Sequence, residues 1–152
     1  LKILGTRSNK IGSKFIQWAT GEDISHVALE LSNGFIIHSN GHGVNITWGK
    51  HFRAANQVVY EAQYLGFLGE PKALIETLME AEGHPYDFLL LLSMGLQKLY
   101  LPVPNWNSPS AFICTELIAK YIFSSNDKLT PGEVIARVTN SQLWEVKRNN
   151  VL

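Results

Sequence analysis

Residues 26–38 read HVALELSNGFIIH, and this stretch decides the fold. His26–Leu31 and Phe35–His38 are rich in residues that suit extended backbone, and Ser32-Asn33-Gly34 between them is a hairpin signal. A three-residue loop, with Gly34 in its left-handed position, pairs Leu31 with Phe35 and Ala28 with His38. Side chains alternate along a strand, so His26, Ala28 and Glu30 share one face. His26 and His38 then stand on that face as diagonal neighbours, roughly 7–8 Å apart at the backbone and within side-chain reach. A two-residue Asn-Gly loop would instead send the two histidines to opposite faces.

Working outward, Gly12–Ala19 carries apolar residues at Ile11, Phe15, Ile16 and Trp18 and ends at Thr20-Gly21, the pattern of an amphipathic helix. Beyond the hairpin, Val44–Trp48 alternates as a strand, and Val58–Ala62 closes the strand region. The second half reads as helices. Pro71–Glu82 has proline in its first turn and Gly83 past its end. Asp87–Tyr100 is apolar on all sides, which suits either a lipid-facing surface around Phe88–Leu92 or, more simply, a buried core helix; it stops before Pro102 and Pro104, and a Pro/Asn/Ser loop follows. Ser110–Phe123 is a further helix, and Thr130-Pro131-Gly132-Glu133 is a capping box that opens another. Strands first and helices later place the chain in the α+β class. With 152 residues and no internal repeat, low-complexity tract or long linker, residues 1–152 are expected to form a single domain.

Thirteen basic residues balance thirteen acidic ones, and the pI of about 7.1 provides no electrostatic footprint for nucleic acid. No Lys/Arg run points to an anionic membrane surface. The longest apolar run, from Phe88, is well short of the ~20 residues that span a bilayer, so no stable membrane insertion is expected. No signal peptide is visible. A single cysteine excludes an intrachain disulfide.

That cysteine, Cys114 in FICTELIAKYI, is the candidate nucleophile. Near a helix N-terminus and facing an imidazole, a thiol has a lowered pKa and attacks at neutral pH. If Ser110 caps the helix, Cys114 lies about one turn in, where the dipole effect fades and the imidazole matters more. A thiolate needs a base to take and return its proton, and the base needs a third group to orient it. Cys114, His26 and His38 supply one of each.

HVALELSNGFIIH followed by Gly43-Val44 resembles the His-strand–turn–His segment of NlpC-type papain-like hydrolases. Gly83-His84-Pro85-Tyr86 is similar to the Gly-x-Pro-Tyr element of that family. Cys114 follows the histidines rather than preceding them, which resembles the circularly permuted branch, the YiiX-type proteins and the lecithin:retinol acyltransferase group. The opening helix leading to Ile24-Ser25-His26-Val27, Cys114-Thr115-Glu116-Leu117 and Thr130-Pro131-Gly132-Glu133 fit the same branch, and the likeness runs from about Ile11 to Val138. The stretch from Tyr86 to Cys114 is much longer than in non-permuted members. The resemblance implies a permuted papain-like fold with an antiparallel sheet packed on helices. It also implies Cys114 as nucleophile, His26 as base, His38 as third member and Tyr86 beside the oxyanion. The expected activity is that of a cysteine peptidase or amidase, acting through an acyl-enzyme on a peptidoglycan-type peptide or an acyl-lipid. No cofactor or metal is expected. A lipid acyltransferase or thioesterase of the same fold is the alternative, and a catalytically silent binding module is the third.

Each of these residues also has a plainer reading. Free cysteine is among the most buried residue types, and Cys114, Leu117, Ile118 and Tyr121 have helical core spacing. A strand histidine is often a hydrogen-bonded core residue, and a tyrosine ahead of Asp87 suits a helix start. His38, His42, His51 and His84 with Cys114 suggest zinc, but His38 and His42 flank Asn40-Gly41 and lack helical i, i+4 geometry. Glu30 reads as an exposed strand acid, Glu116 as a backbone partner, and Trp18, Trp48, Trp106 and Trp144 as packing residues.

Overall fold

The computed structural model describes residues 1–66, 72–104 and 111–149. The hairpin adopts the three-residue register. Strand β2 (His26–Glu30) pairs antiparallel with β3 (Phe35–Asn40) through Leu29 with Ile37 and Glu30 with Ile36. The Leu31 N–H donates to the Phe35 carbonyl at 2.8 Å, and Gly34 sits at φ 83°. The pairing stops at Leu29 and Ile37, so the two strands part towards His26.

These strands belong to one antiparallel sheet in the order β4-β3-β2-β1-β5-β6, with β1 Lys2–Arg7, β4 Gly43–Trp48, β5 Gln57–Tyr64 and β6 Trp144–Arg148. Sequence pattern did not show β1, although it lies between β2 and β5. Its Ile3 and Leu4 are adjacent and both fully buried, one on each face. A strand covered on both sides loses the alternation by which a half-exposed strand is recognised. Strand β6 and helix α2 (Gly49–Ala55) were also unread.

One face of the sheet carries the larger core. Ile3, Val27, Leu29 and Ile37 pack there with Leu117 and Ile118 of α5 (Cys114–Tyr121) and Val134 and Val138 of α6 (Pro131–Thr139). Truncating one such leucine to alanine costs about 2–5 kcal/mol. On the other face, Leu4, Ala28 and Ile36 meet Phe52 of α2.

Helix α6 opens with the expected capping box, Thr130 N–H donating to Glu133 (2.7 Å) and Glu133 N–H to Thr130 Oγ1 (3.3 Å). Glu22 adds a further clamp, accepting from the Gly132 N–H at 2.7 Å. Helix α3 spans Lys72–Glu80; its expected start at Pro71 lies outside the described residues, as do Ser110, Trp106 and the rest of the Pro/Asn/Ser loop beyond Pro104.

Two helices depart from expectation. Helix α1 (Ile11–Thr20) ends at Gly21 as its sequence indicates, but Ile11 is 88% and Trp18 54% exposed. The side it buries is that of Ser13, whose Oγ lies 2.5 Å from Ser25 Oγ and accepts from the Ser8 N–H. Helix α4 (Phe88–Lys98) buries Leu90 and Ser93 and exposes Leu89 (58%) and Leu92 (47%), so it is a surface helix rather than an enclosed one. Among the tryptophans, Trp48 stacks on Phe35 at 4.2 Å and Trp144 lies 5.2 Å from Tyr64. Among the described residues, no helix is long and apolar enough to cross a membrane.

Candidate active site

His26 stands at the start of β2 and His38 in β3, where the strands have parted. Their rings meet edge-to-face, with His26 Nε2 3.2 Å from His38 Nδ1. Phe52 packs against both, 4.9 Å from the His38 ring and 6.1 Å from the His26 ring. The neighbouring Arg53 holds α2 in place by pairing with Glu30 at 2.9 Å and Glu61 at 3.1 Å. Glu30 is therefore a half-buried ion-pair partner, not the exposed strand acid its sequence suggested.

Loss of water dominates the electrostatics of this pair. Burial, reinforced by His38, lowers the pKa of His26 to about 3. Burial, reinforced by Lys10, lowers that of His38 to about 4. Both rings are neutral near pH 7, so one ring N–H donates to the bare nitrogen of the other.

Cys114 is the first residue of α5, with Ile113 as N-cap. The question of one turn in or at the start is thus decided by the chain turning helical late. Glu116 caps this end, accepting from the Ile113 N–H at 3.0 Å, as its sequence position suggested. Cys114 is 5% exposed and belongs to the larger core cluster. The expectation of a lowered thiol pKa is corrected here. Burial pushes the thiol up to about 11, against weaker hydrogen bonding from the backbone of Val27, Thr115 and Cys114 itself. The helix start provides N–H groups, but a dry pocket penalises the thiolate more than they favour it.

His26, His38 and Tyr86 line one cleft of about 500 Å³ bounded by α1, α2 and the turn between β3 and β4. Cys114 does not line it. It lies beside Val27, the residue after His26, and close enough to Tyr86 that the two interact electrostatically. Burial, followed by Cys114 and then Asp87, raises the pKa of the Tyr86 phenol.

Backbone bonds explain how segments so distant in sequence converge. Residues 83–85 cover the free edge of β4: the Val44 N–H donates to His84 O (2.8 Å) and the Gly83 N–H to Val44 O (2.9 Å). The Phe112 N–H donates to Pro85 O at 3.0 Å, which joins the approach to Cys114 to the approach to Tyr86. Sequence reasoning missed Ser13, Ser25, Phe52 and Lys10 as parts of this region. Only Ser25, beside His26, carried a signal.

No protein-family model matches this chain, and no curated protein matches it in sequence. Among solved structures it is similar to the crystal structure of metalloprotein yiiX from Escherichia coli O157:H7 (DUF1105), with a TM-score of 0.65 and 17% identity, over 99% of this chain and 97% of that one. The fold is YiiX-like. At this identity the likeness extends to the architecture, and the roles of individual side chains rest on this chain alone.

That YiiX structure is described as a metalloprotein. Among the described residues here, no three His, Cys, Asp or Glu side chains gather to hold a metal ion. The two imidazoles that do approach meet through His26 Nε2 and His38 Nδ1.

Proposed function

We propose that this chain is a cysteine hydrolase of the circularly permuted papain-like type, cleaving an amide or ester through Cys114, His26 and His38. The observation that carries this reading is the 3.2 Å contact between His26 Nε2 and His38 Nδ1 at the wall of a cleft, with Cys114 opening α5 beside the next residue of the strand. The contact occupies Nε2 and leaves Nδ1 of His26 as the nitrogen that takes a proton.

A neutral thiol and a neutral imidazole set the order of events. The sulfur attacks the carbonyl carbon as its proton passes to His26 Nδ1, while His38 holds the His26 ring in the required tautomer. The Tyr86 hydroxyl, or a backbone N–H near it, stabilises the oxyanion. The same proton then goes to the departing amine or alkoxide, leaving a thioester on Cys114. Water attacks the thioester, His26 accepts and returns its proton, and the acid leaves with the thiol restored. A peptidoglycan-type peptide is the leading substrate class. An acyl-lipid is the second reading, favoured by the apolar side chains that α1 and α4 expose at Ile11, Trp18, Leu89 and Leu92.

The test is incubation with p-nitrophenyl acetate followed by intact-mass and peptide mapping. An acetyl adduct on Cys114 in the native protein that is lost in Cys114→Ala and strongly slowed in His26→Gln is the expected result. Absence of any Cys114 adduct, with nitrophenol release unaltered by either change, sinks the proposal.

A further inference from the structure

The chain as a whole has no net charge, with 13 basic and 13 acidic residues, yet its cleft does not share that balance. The 500 Å³ cleft lined by His26, His38 and Tyr86 also takes in Lys10, and it shares Ser8, Ala55 and Asn56 with an adjoining cleft of about 290 Å³ lined by Arg7 and Arg53. Among the described residues lining either, none is Asp or Glu. Arg53 is neutralised by Glu30 and Glu61. Arg7 donates through Nε to the neutral Gln57 amide at 2.7 Å, and no carboxylate pairs with Arg7 or Lys10 among the described residues. Lys10 lies near enough to His38 to act on its ring. The start of α1, whose Lys10, Gly12 and Ser13 line the cleft, carries no acidic residue in its first turn.

Two unneutralised cations, Lys10 on the cleft that holds His26 and His38 and Arg7 on the one adjoining it, raise the local concentration of anions and orient them. An arginine whose Nε is already engaged keeps its terminal N–H groups for a planar, bidentate partner, the geometry of a carboxylate. We infer that the substrate carries a carboxylate, held by Arg7 and Lys10, on the part of the molecule that extends from the scissile carbonyl along the shared wall at Ser8 and Asn56. This rests on the hydrolase reading above and narrows it to carboxylate-bearing amides or esters, such as N-acyl amino acids and short peptides with a free C-terminus.

The experiment compares alkylation of Cys114 by iodoacetate and by iodoacetamide, which differ chiefly in charge. It is run at low salt on the native protein, on the urea-unfolded protein, on Lys10→Gln and on Arg7→Gln/Lys10→Gln. The expected result is an iodoacetate-to-iodoacetamide rate ratio several-fold higher in the native protein than in the unfolded one. That ratio should fall by about 3–10-fold in the double variant and in the same direction in Lys10→Gln, whose side chain is exposed and whose folding is not in question. N-acetylglycine should slow the labelling more than N-acetylglycinamide or inorganic phosphate does. A native ratio equal to the unfolded one, a ratio that the variants leave in place, or stronger protection by phosphate would each overturn the carboxylate site. An acetyl adduct on Cys114 from neutral p-nitrophenyl acetate alongside any of those three results keeps the hydrolase reading and rejects only this inference.

Discussion

The Ser39 hydroxyl donates to the Phe112 carbonyl at 2.5 Å, and both residues are buried. One follows His38 and the other precedes Cys114 by two, so a single bond spans 73 residues of sequence to join the two halves of the site. Ser39→Ala removes the donor and leaves a buried carbonyl unsatisfied. A loss of about 1–3 kcal/mol is expected, read from the urea midpoint, together with slower acylation of Cys114. A variant with the native midpoint would show that the bond contributes nothing.

Gly43 is at φ 101°, and a Cβ there would run into the His84 carbonyl oxygen. That oxygen accepts the bond from Val44 that seats residues 83–85 ahead of Tyr86. Gly43→Ala therefore carries backbone strain of about 1–3 kcal/mol and displaces Tyr86 from the cleft wall. Thermal melting and tyrosine fluorescence would both shift. If only the melting temperature moves, the 83–85 segment does not position Tyr86.

The histidine pair makes stability depend on pH. His26 and His38 titrate at about 3 and 4 in the folded protein, against an ordinary value near 6.5 in the unfolded chain. Between these values the unfolded chain binds protons that the folded one refuses. Stability is then at full strength above about pH 6.5 and is lost as pH falls through 4 towards about 3. Chemical denaturation at several pH values should show this slope in the native protein and a shallower one in His26→Gln. An identical slope in the variant would mean that His26 is not held neutral by its surroundings.

Burial of Cys114 sets its resting reactivity. With its pKa pushed up to about 11, the thiol should react slowly with iodoacetamide at pH 7, and the rate should climb only above the free-thiol value of about 8.5. Mild loosening of α5 by Leu117→Ala should speed the reaction at pH 7. Fast native labelling with a midpoint below 7 would instead indicate a preformed thiolate–imidazolium pair.

Much of this protein was legible from sequence because the deciding signals are local. Gly34 and the three-residue loop set the hairpin register and hence the meeting of His26 with His38. Gly21 ends α1, and Thr130 with Glu133 opens α6, through bonds made within a few residues. What remained out of reach depends on neighbours that no local pattern encodes. Ile3 and Leu4 do not reveal a central strand, since covering both faces erases the alternation. The apolar stripe Ile11, Phe15 and Trp18 does not reveal that Ser13 is the side turned inward, because a hydroxyl can be buried whenever another hydroxyl, here that of Ser25, completes its bonding. Cys114 marks a candidate nucleophile by type, but whether its thiol is ionised depends on how much water surrounds it. Only the tertiary structure decides that, since desolvation comes from residues packed around the sulfur and not from those beside it in the chain.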